Sequence, residues 1–373
     1  MTEPLLLMTP GPTRVPERVL RAGARPMIHH RTPEFSAELA AAIEMLAPVF
    51  GTRSAALPVH TTGRGATEAA ICNFFSAGDE IIACCNGKFG EMWAGLAASY
   101  GLVVHRVSTD WRQEVDATEI EQLVRDRAQV RGITLTFGDT STAVRNDVAA
   151  VCRAARGTDA LVMVDGVSSI GGMPFAFDEW GVDVAVVASQ KCLMSAPGLA
   201  FVAVSDRAWA ANERAALPRN YWDFRDIKRH VTQPRPETPG TTPVSLMLQV
   251  AEALRMIHEE GLDRVYARHE AMAERTRRGA LDLGLSLQCP TLTHHSATLT
   301  AIACPPGVAP KSIRDPMKAR GILTAAGLGA SFENTAFRIG HMGDIRPADV
   351  ERTLAALAEV LSELPDSAVA ARA

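Results

Sequence analysis

Two short apolar runs constrain this chain more than any other feature. Residues 160–164 (ALVMV) and 182–188 (VDVAVVA) are β-branched, too short for core helices, and end abruptly on polar residues. Runs of this kind read as strands buried on both faces, as in a parallel sheet covered by helices. Asp165 follows the first run, and Ser189, Gln190 and Lys191 follow the second. In an open α/β sheet, ligands collect beyond the carboxyl ends of the strands. The acid and the amine therefore face a common crevice, which makes Asp165 and Lys191 the first candidates for chemistry.

The rest of the chain supplies an α/β frame around that pair. Further strands are predicted at Glu80–Cys84, Val103–Val107, 132–136 and 199–204, the last pairing at the sheet edge, with helices at 36–50, 66–75, 91–100, 117–127 and 147–155. Residues 220–242 carry aromatics, prolines and charge without periodicity and read as an ordered functional loop. Helices at 245–260 and 262–283 lead to alternating strands (298–304, 322–325, 337–341) and helices (311–320, 347–364), a small α/β domain after a large one. The expected division is an N-terminal arm (1–15), a large domain (16–254) and a small C-terminal domain (255–373).

Composition removes several classes of function. A net charge of −4, with 21% charged residues and no basic stripe, gives no case for nucleic acid. The seven cysteines are scattered, with no CxxC pair and no Cys/His cluster at zinc spacing, so reduced thiols in a cytoplasmic protein without a metal are expected. The opening MTEPLLLMTPGPT lacks a basic flank and is interrupted by Pro10 and Pro12, so it reads as neither signal peptide nor membrane span.

Several side chains stand out from this frame, each with two readings. In LPVHTTGRGATEAAI, residues 57–71, hydroxyls and glycines precede a helical pattern. The backbone N–H groups of Gly63, Arg64 and Gly65 then form a phosphate cup, or the stretch is an ordinary Gly-rich helix start. Arg64 adds a permanent charge that serves a phosphate or a substrate. Phe89 is either a core anchor or a ring that stacks on a flat ligand. Thr140 is either an N-cap for the helix 147–155 or a hydroxyl in the crevice. Gly11 lies between two prolines and lets backbone approach a ligand closely. His30 and Arg31 belong to a surface turn or to a pocket. Arg338, inside the apolar AFRIG run, needs an anion, either a buried acid or a ligand carboxylate.

VMVDGVSSIGG followed by SQKCL, with TTGRG before it and RIGHMG after it, resembles the class V (fold type I) aminotransferases, specifically the alanine–glyoxylate, serine–glyoxylate and serine–pyruvate branch. The resemblance spans residues 10–364. It implies an α/β fold type I PLP-transferase, with a large domain built on a mainly parallel seven-stranded sheet flanked by helices and a small C-terminal α/β domain. It also implies pyridoxal 5'-phosphate (PLP) bound to Lys191 as a Schiff base, with Asp165 fixing the proton on the pyridine nitrogen so that the ring acts as an electron sink.

By the same resemblance Thr62, Gly63, Arg64 and Gln190 hold the phosphate, Phe89 stacks on the ring and Thr140 lies beside the phenolic oxygen. Thr241, within PGTTPVSL, reaches the cofactor of the other subunit in a homodimer, and Thr238 stands where several relatives have Tyr. Gly11 and His30 line the substrate pocket, and Arg338 grips the α-carboxylate. The implied reaction is ping-pong transfer of an amino group from alanine or serine to glyoxylate or pyruvate, since no second arginine is evidently placed for a dicarboxylate. The alternatives are ureidoglycine–glyoxylate or pyridoxamine–pyruvate transamination, or a PLP-dependent lyase on the same fold.

Overall fold

The computed structural model describes residues 4–291, 294–330 and 332–364. Its strands are β1 (Leu6–Leu7), β2 (Leu57–Val59), β3 (Glu80–Cys84), β4 (Val103–Val107), β5 (Val130–Thr136), β6 (Leu161–Asp165), β7 (Val184–Ala188), β8 (Ala200–Val204), β9 (Ser286–Leu287), β10 (Leu299–Ala303), β11 (Ile322–Leu323), β12 (Ala325–Ala326) and β13 (Ala336–Gly340). Seven of them form one sheet in the order β2-β8-β7-β6-β5-β3-β4. The strands from β4 through β3, β5 and β6 to β7 pair in parallel, and β8 and β2 add antiparallel pairs. Every residue of β6 and β7 is buried, which is why neither run alternates in sequence.

Three local expectations are corrected. The sheet edge beside β8 is β2, not residues 199–204, because the three-residue LPV run is too short to show a pattern and its Pro58 suits an edge strand. The segment 220–242 contains the helix Phe224–Val231, capped by Asp223 and buried through Phe224, Ile227 and Val231. That spacing is helical, but one buried face in eight residues is masked by the charges between. The stretch 322–325 divides between two sheets: β11 pairs in parallel with β1, while β12 is the edge of the four-stranded sheet β12-β13-β10-β9.

Two cores result. The larger one surrounds the seven-stranded sheet and includes Phe35, Leu46, Trp93, Val164 and Val186. The smaller gathers Met272, Ile313, Met317, Phe337, Ile339 and Leu357, together with Leu6 and Met8 from the start of the chain. The helix Leu262–Asp282 serves both, with Val265 and Ala273 in the larger core and Met272 and Ala280 in the smaller. Among the described residues no helix is long and apolar enough to cross a membrane.

Candidate active site

The crevice forms where β6 and β7 end side by side. Asp165 closes β6, in register with Val186 of β7, and Lys191 follows three residues after β7. Asp165 is buried, and its Oδ1 accepts the Val167 N–H at 2.9 Å. Burial pushes its carboxyl up to about 6, with the Lys191 charge acting in the opposite direction. Burial also draws the Lys191 amine down to about 8, against the pull of Asp165. The two groups thus leave the ends of neighbouring strands and lie close enough for their charges to act on each other.

The start of the chain lies against Lys191. Its Nζ donates to the Pro10 carbonyl, and a Cβ on Gly11 would stand 2.5–2.6 Å from Lys191 Cδ, Cε and Nζ. Gly11 also has φ +113°, so this close approach requires glycine twice over.

The helix Gly63–Phe74 points its N-terminus at the same loop, since a Cβ on Gly63 would meet Val167 Cγ2 at 2.7 Å. Thr62 stands at its N-cap without making a side-chain cap, and no acid lies in the first turn. Its first N–H groups are therefore open to an anion. Arg64 is exposed at this positive helix end and makes no ion pair among the described residues. Gln190 holds its buried Oε1 without a hydrogen-bond partner. Phe89 is half-buried and belongs to neither core, so the core-anchor reading does not describe it. Thr140 is buried and caps no helix, because Asp147 caps Val148–Ala154.

Arg338 enters from β13. It is buried, donating from Nε to the Ala326 carbonyl at 2.7 Å and from Nη1 to the Thr140 carbonyl at 2.6 Å. No carboxylate pairs with it among the described residues. Desolvation draws its proton affinity down to about 10, while the charge of Asp139 supports it and that of Arg314 opposes it. A buried guanidinium with carbonyl partners and no acid is poised for an arriving carboxylate.

The remaining candidates lie elsewhere. His30 stacks on His29 at 4.5 Å between ring centres and lines a cavity of about 650 Å³ with Thr241, Thr242 and Leu246. Arg31 is occupied by Glu237. Thr238 is buried and donates to the Gly240 carbonyl at 2.8 Å, whereas Thr241 is exposed. None of the crevice residues above lines the His30 cavity. Sequence reasoning missed Asp139, Arg314 and the Pro10 carbonyl. An acid directly before the TST hydroxyls was the available signal for the first; the other two carry none.

The residues that could hold PLP fit it on two observations: an amine beside a buried acid with its proton affinity lowered by desolvation, and an uncapped helix start whose N–H groups are open to a phosphate. The aminotransferase class-V family model matches residues 6–343. The chain is 38% identical to the small subunit of a soluble hydrogenase from Synechococcus sp. (strain PCC 6716), covering 98% of this chain and 94% of the relative. It is 37% identical to the L-aspartate–glyoxylate aminotransferase of Paracoccus denitrificans, covering 98% and 93%. The crystal structure of an alanine–glyoxylate aminotransferase from Nostoc sp. superposes with a TM-score of 0.92 at 30% identity, over 97% of this chain and 96% of that one. Sequence, fold and comparison agree, and the chain belongs to the class V aminotransferases, a family of PLP-dependent enzymes.

Proposed function

We propose that this aminotransferase moves an amino group from alanine or serine to glyoxylate or pyruvate, in two half-reactions, as a cytoplasmic homodimer. The observation that carries the reading is Arg338, a buried cation with no carboxylate partner among the described residues and close enough to Lys191 for its charge to act on the amine. One carboxylate-binding fork suits a substrate with a single α-carboxylate. The free state of all seven cysteines supports a reducing compartment. The two cores support a division into an arm (1–15), a large domain (16–254) and a small domain (255–373), with Leu6 and Met8 of the arm seated in the smaller core.

In this reading Lys191 carries PLP, Asp165 partners the pyridine nitrogen, Phe89 covers the ring and Thr140 lies at its oxygen edge. Thr62, Gly63, Arg64 and Gln190 hold the phosphate, joined by Thr241 from the neighbouring copy, with Thr238 stiffening the turn behind it. When bound, PLP supplies an electron sink for the charge that develops at the substrate Cα. The chain does the rest. Arg338 orients the substrate through its carboxylate, and Gly11 leaves room beside the amine for it to do so. Lys191 Nζ, with a proton affinity brought near neutrality by burial, takes the proton from Cα as general base. Asp165 Oδ1 is fixed by Val167, which leaves Oδ2 for a protonated ring nitrogen.

Arg314 favours a second reading. It lies close enough to Arg338 to oppose its charge, makes long contacts of 3.4 and 3.5 Å to the Thr324 carbonyl, and has no carboxylate partner among the described residues. A dicarboxylate donor such as aspartate would use both cations. Visible absorption of the PLP-loaded enzyme separates the two: alanine or serine bleaching the bound-cofactor band, with return on glyoxylate or pyruvate, supports the first. Bleaching by aspartate that disappears in Arg314→Gln supports the second. If no band forms in wild type or in Lys191→Ala, both are wrong.

A further inference from the structure

A buried carboxylate beside the crevice has no part in the scheme above. Asp139 lies three residues beyond the end of β5 and is fully buried. Its Oδ1 accepts the Ser141 N–H at 2.8 Å and the Ser141 hydroxyl at 2.5 Å, and its Oδ2 accepts the Phe89 N–H at 2.9 Å. All of these partners are donors, an environment built for the ionised form. Burial pushes the carboxyl up, and the bonds from Ser141, Phe89 and Gly90 draw it back.

These contacts fasten the start of the helix Lys88–Ser99. That helix has Gly87 at its N-cap and therefore no cap of its own. Asp139 supplies the missing acceptor from another segment, and Ser141 Oγ accepts the Lys88 N–H at 3.0 Å. The approach is possible because residue 87 is glycine: a Cβ there would stand 2.3 Å from Asp139 Cγ and Oδ2. Phe89 packs in neither core, and the contact that fixes its main chain is its N–H bond to Asp139.

The same turn faces Arg338. The carbonyl of Thr140, the next residue, receives Arg338 Nη1 at 2.6 Å, and the Asp139 charge supports the guanidinium without an ion pair. The fork is thus balanced from beyond hydrogen-bond range and stays open to a substrate. We propose that Asp139 is a positioning residue that sets, through one turn, both the aromatic ring at Phe89 and the carboxylate-binding fork of Arg338. The inference rests on the reading of Arg338 as the α-carboxylate anchor.

The test compares Asp139→Asn, Ser141→Ala and Arg338→Gln in the full-length, PLP-loaded enzyme. An Asn cannot accept from both Ser141 and Phe89, since one end of its amide is a donor. Asp139→Asn should raise KM for the amino donor and for the oxo acceptor by the same factor, roughly tenfold, with kcat changed less. Without substrate, the visible circular dichroism of the cofactor band should shrink. In cofactor-free protein the amides of residues 88–90 should exchange at least about tenfold faster. Ser141→Ala should move each readout the same way by a smaller factor, and it decides the matter if Asp139→Asn does not fold. Lowered melting temperature with unchanged KM values, dichroism and exchange overturns the proposal. If Arg338→Gln leaves both KM values at wild type, the underlying reading fails and the carboxylate half of the proposal falls with it. If Arg338→Gln raises both and neither Asp139→Asn nor Ser141→Ala does, the reading stands and the proposal is overturned.

Discussion

Replacing Arg338 by Gln should separate stability from activity in opposite directions. Desolvation brings the guanidinium's proton affinity down to about 10 from its ordinary value. At 1.36 kcal/mol per pH unit, this corresponds to roughly 3 kcal/mol of penalty that the folded chain carries at any pH below that value. The substitution removes that penalty and also the two bonds to the Ala326 and Thr140 carbonyls, worth about 1 kcal/mol each. Cofactor-free Arg338→Gln should therefore be as stable as wild type or up to about 2 kcal/mol more stable. Substrate binding moves the other way. A carboxylate held by two charge-assisted bonds of about 1.5–3 kcal/mol each is lost, so kcat/KM should fall by about two to four orders of magnitude. Urea unfolding measures the first effect and initial rates with alanine and glyoxylate the second. A variant destabilised by more than about 2 kcal/mol with unchanged kcat/KM would show that Arg338 serves the fold and not the substrate.

Other outcomes follow from the same geometry. The Lys191 amine is drawn down to about 8 by burial, so between that pH and the ordinary lysine value the unfolded chain binds a proton that the folded chain lacks. Cofactor-free wild type should gain stability relative to Lys191→Met as pH rises from 8 towards 10, and parallel urea midpoints across that range would sink the argument. Arg64→Gln should weaken PLP binding by about two- to fivefold at low salt and by less at high salt, followed by equilibrium titration. Asp183, buried just before β7, accepts from Val162 N–H, Ser205 Oγ and Arg207. Asp183→Ala should cost about 2–4 kcal/mol in urea unfolding while leaving both KM values in place.

The sequence was legible where burial is uniform and opaque where a residue's meaning comes from a distant partner. β6 and β7 announce themselves because each residue is buried, and their ends mark the crevice without further information. The helix Gly63–Phe74 was also readable, since glycines and hydroxyls before an apolar periodic stretch have few other uses. Thr140 left two readings that the local pattern could not separate; Asp147, seven residues on, turned out to be the cap. Asp139 reads locally as a turn former, and its binding of the Phe89 N–H comes from fifty positions away. Arg314 lies on an ordinary amphipathic helix, Pro310–Ala319, and its nearness to Arg338 arises only when that helix packs against β12 and β13.

The arm before Arg14 shows how the amine and the fork keep their spacing. Gly340 N, at the end of β13, donates to the Met8 carbonyl at 2.8 Å, while Thr13 donates from N to the Gln190 carbonyl and from Oγ1 to the Lys191 carbonyl, each at 3.1 Å. Six residues of main chain thus tie the strand that carries Arg338 to the loop that carries Lys191. The tie passes closely at both ends, since a Cβ on Gly340 would stand 2.2 Å from Thr9 O and one on Gly11 would overlap the Lys191 side chain. Gly11→Ala meets this overlap together with φ +113°, a sparsely populated conformation costing an alanine about 1–3 kcal/mol. Gly11 itself lies in neither core, so the strain is relieved by shifting residues 9–12 or the lysine while Leu6 and Met8 stay seated in the smaller core. The variant should keep its melting temperature within a few degrees and lose at least about tenfold in kcat. Wild-type turnover in a folded Gly11→Ala enzyme would mean that the arm does not set the position of the amine during the reaction.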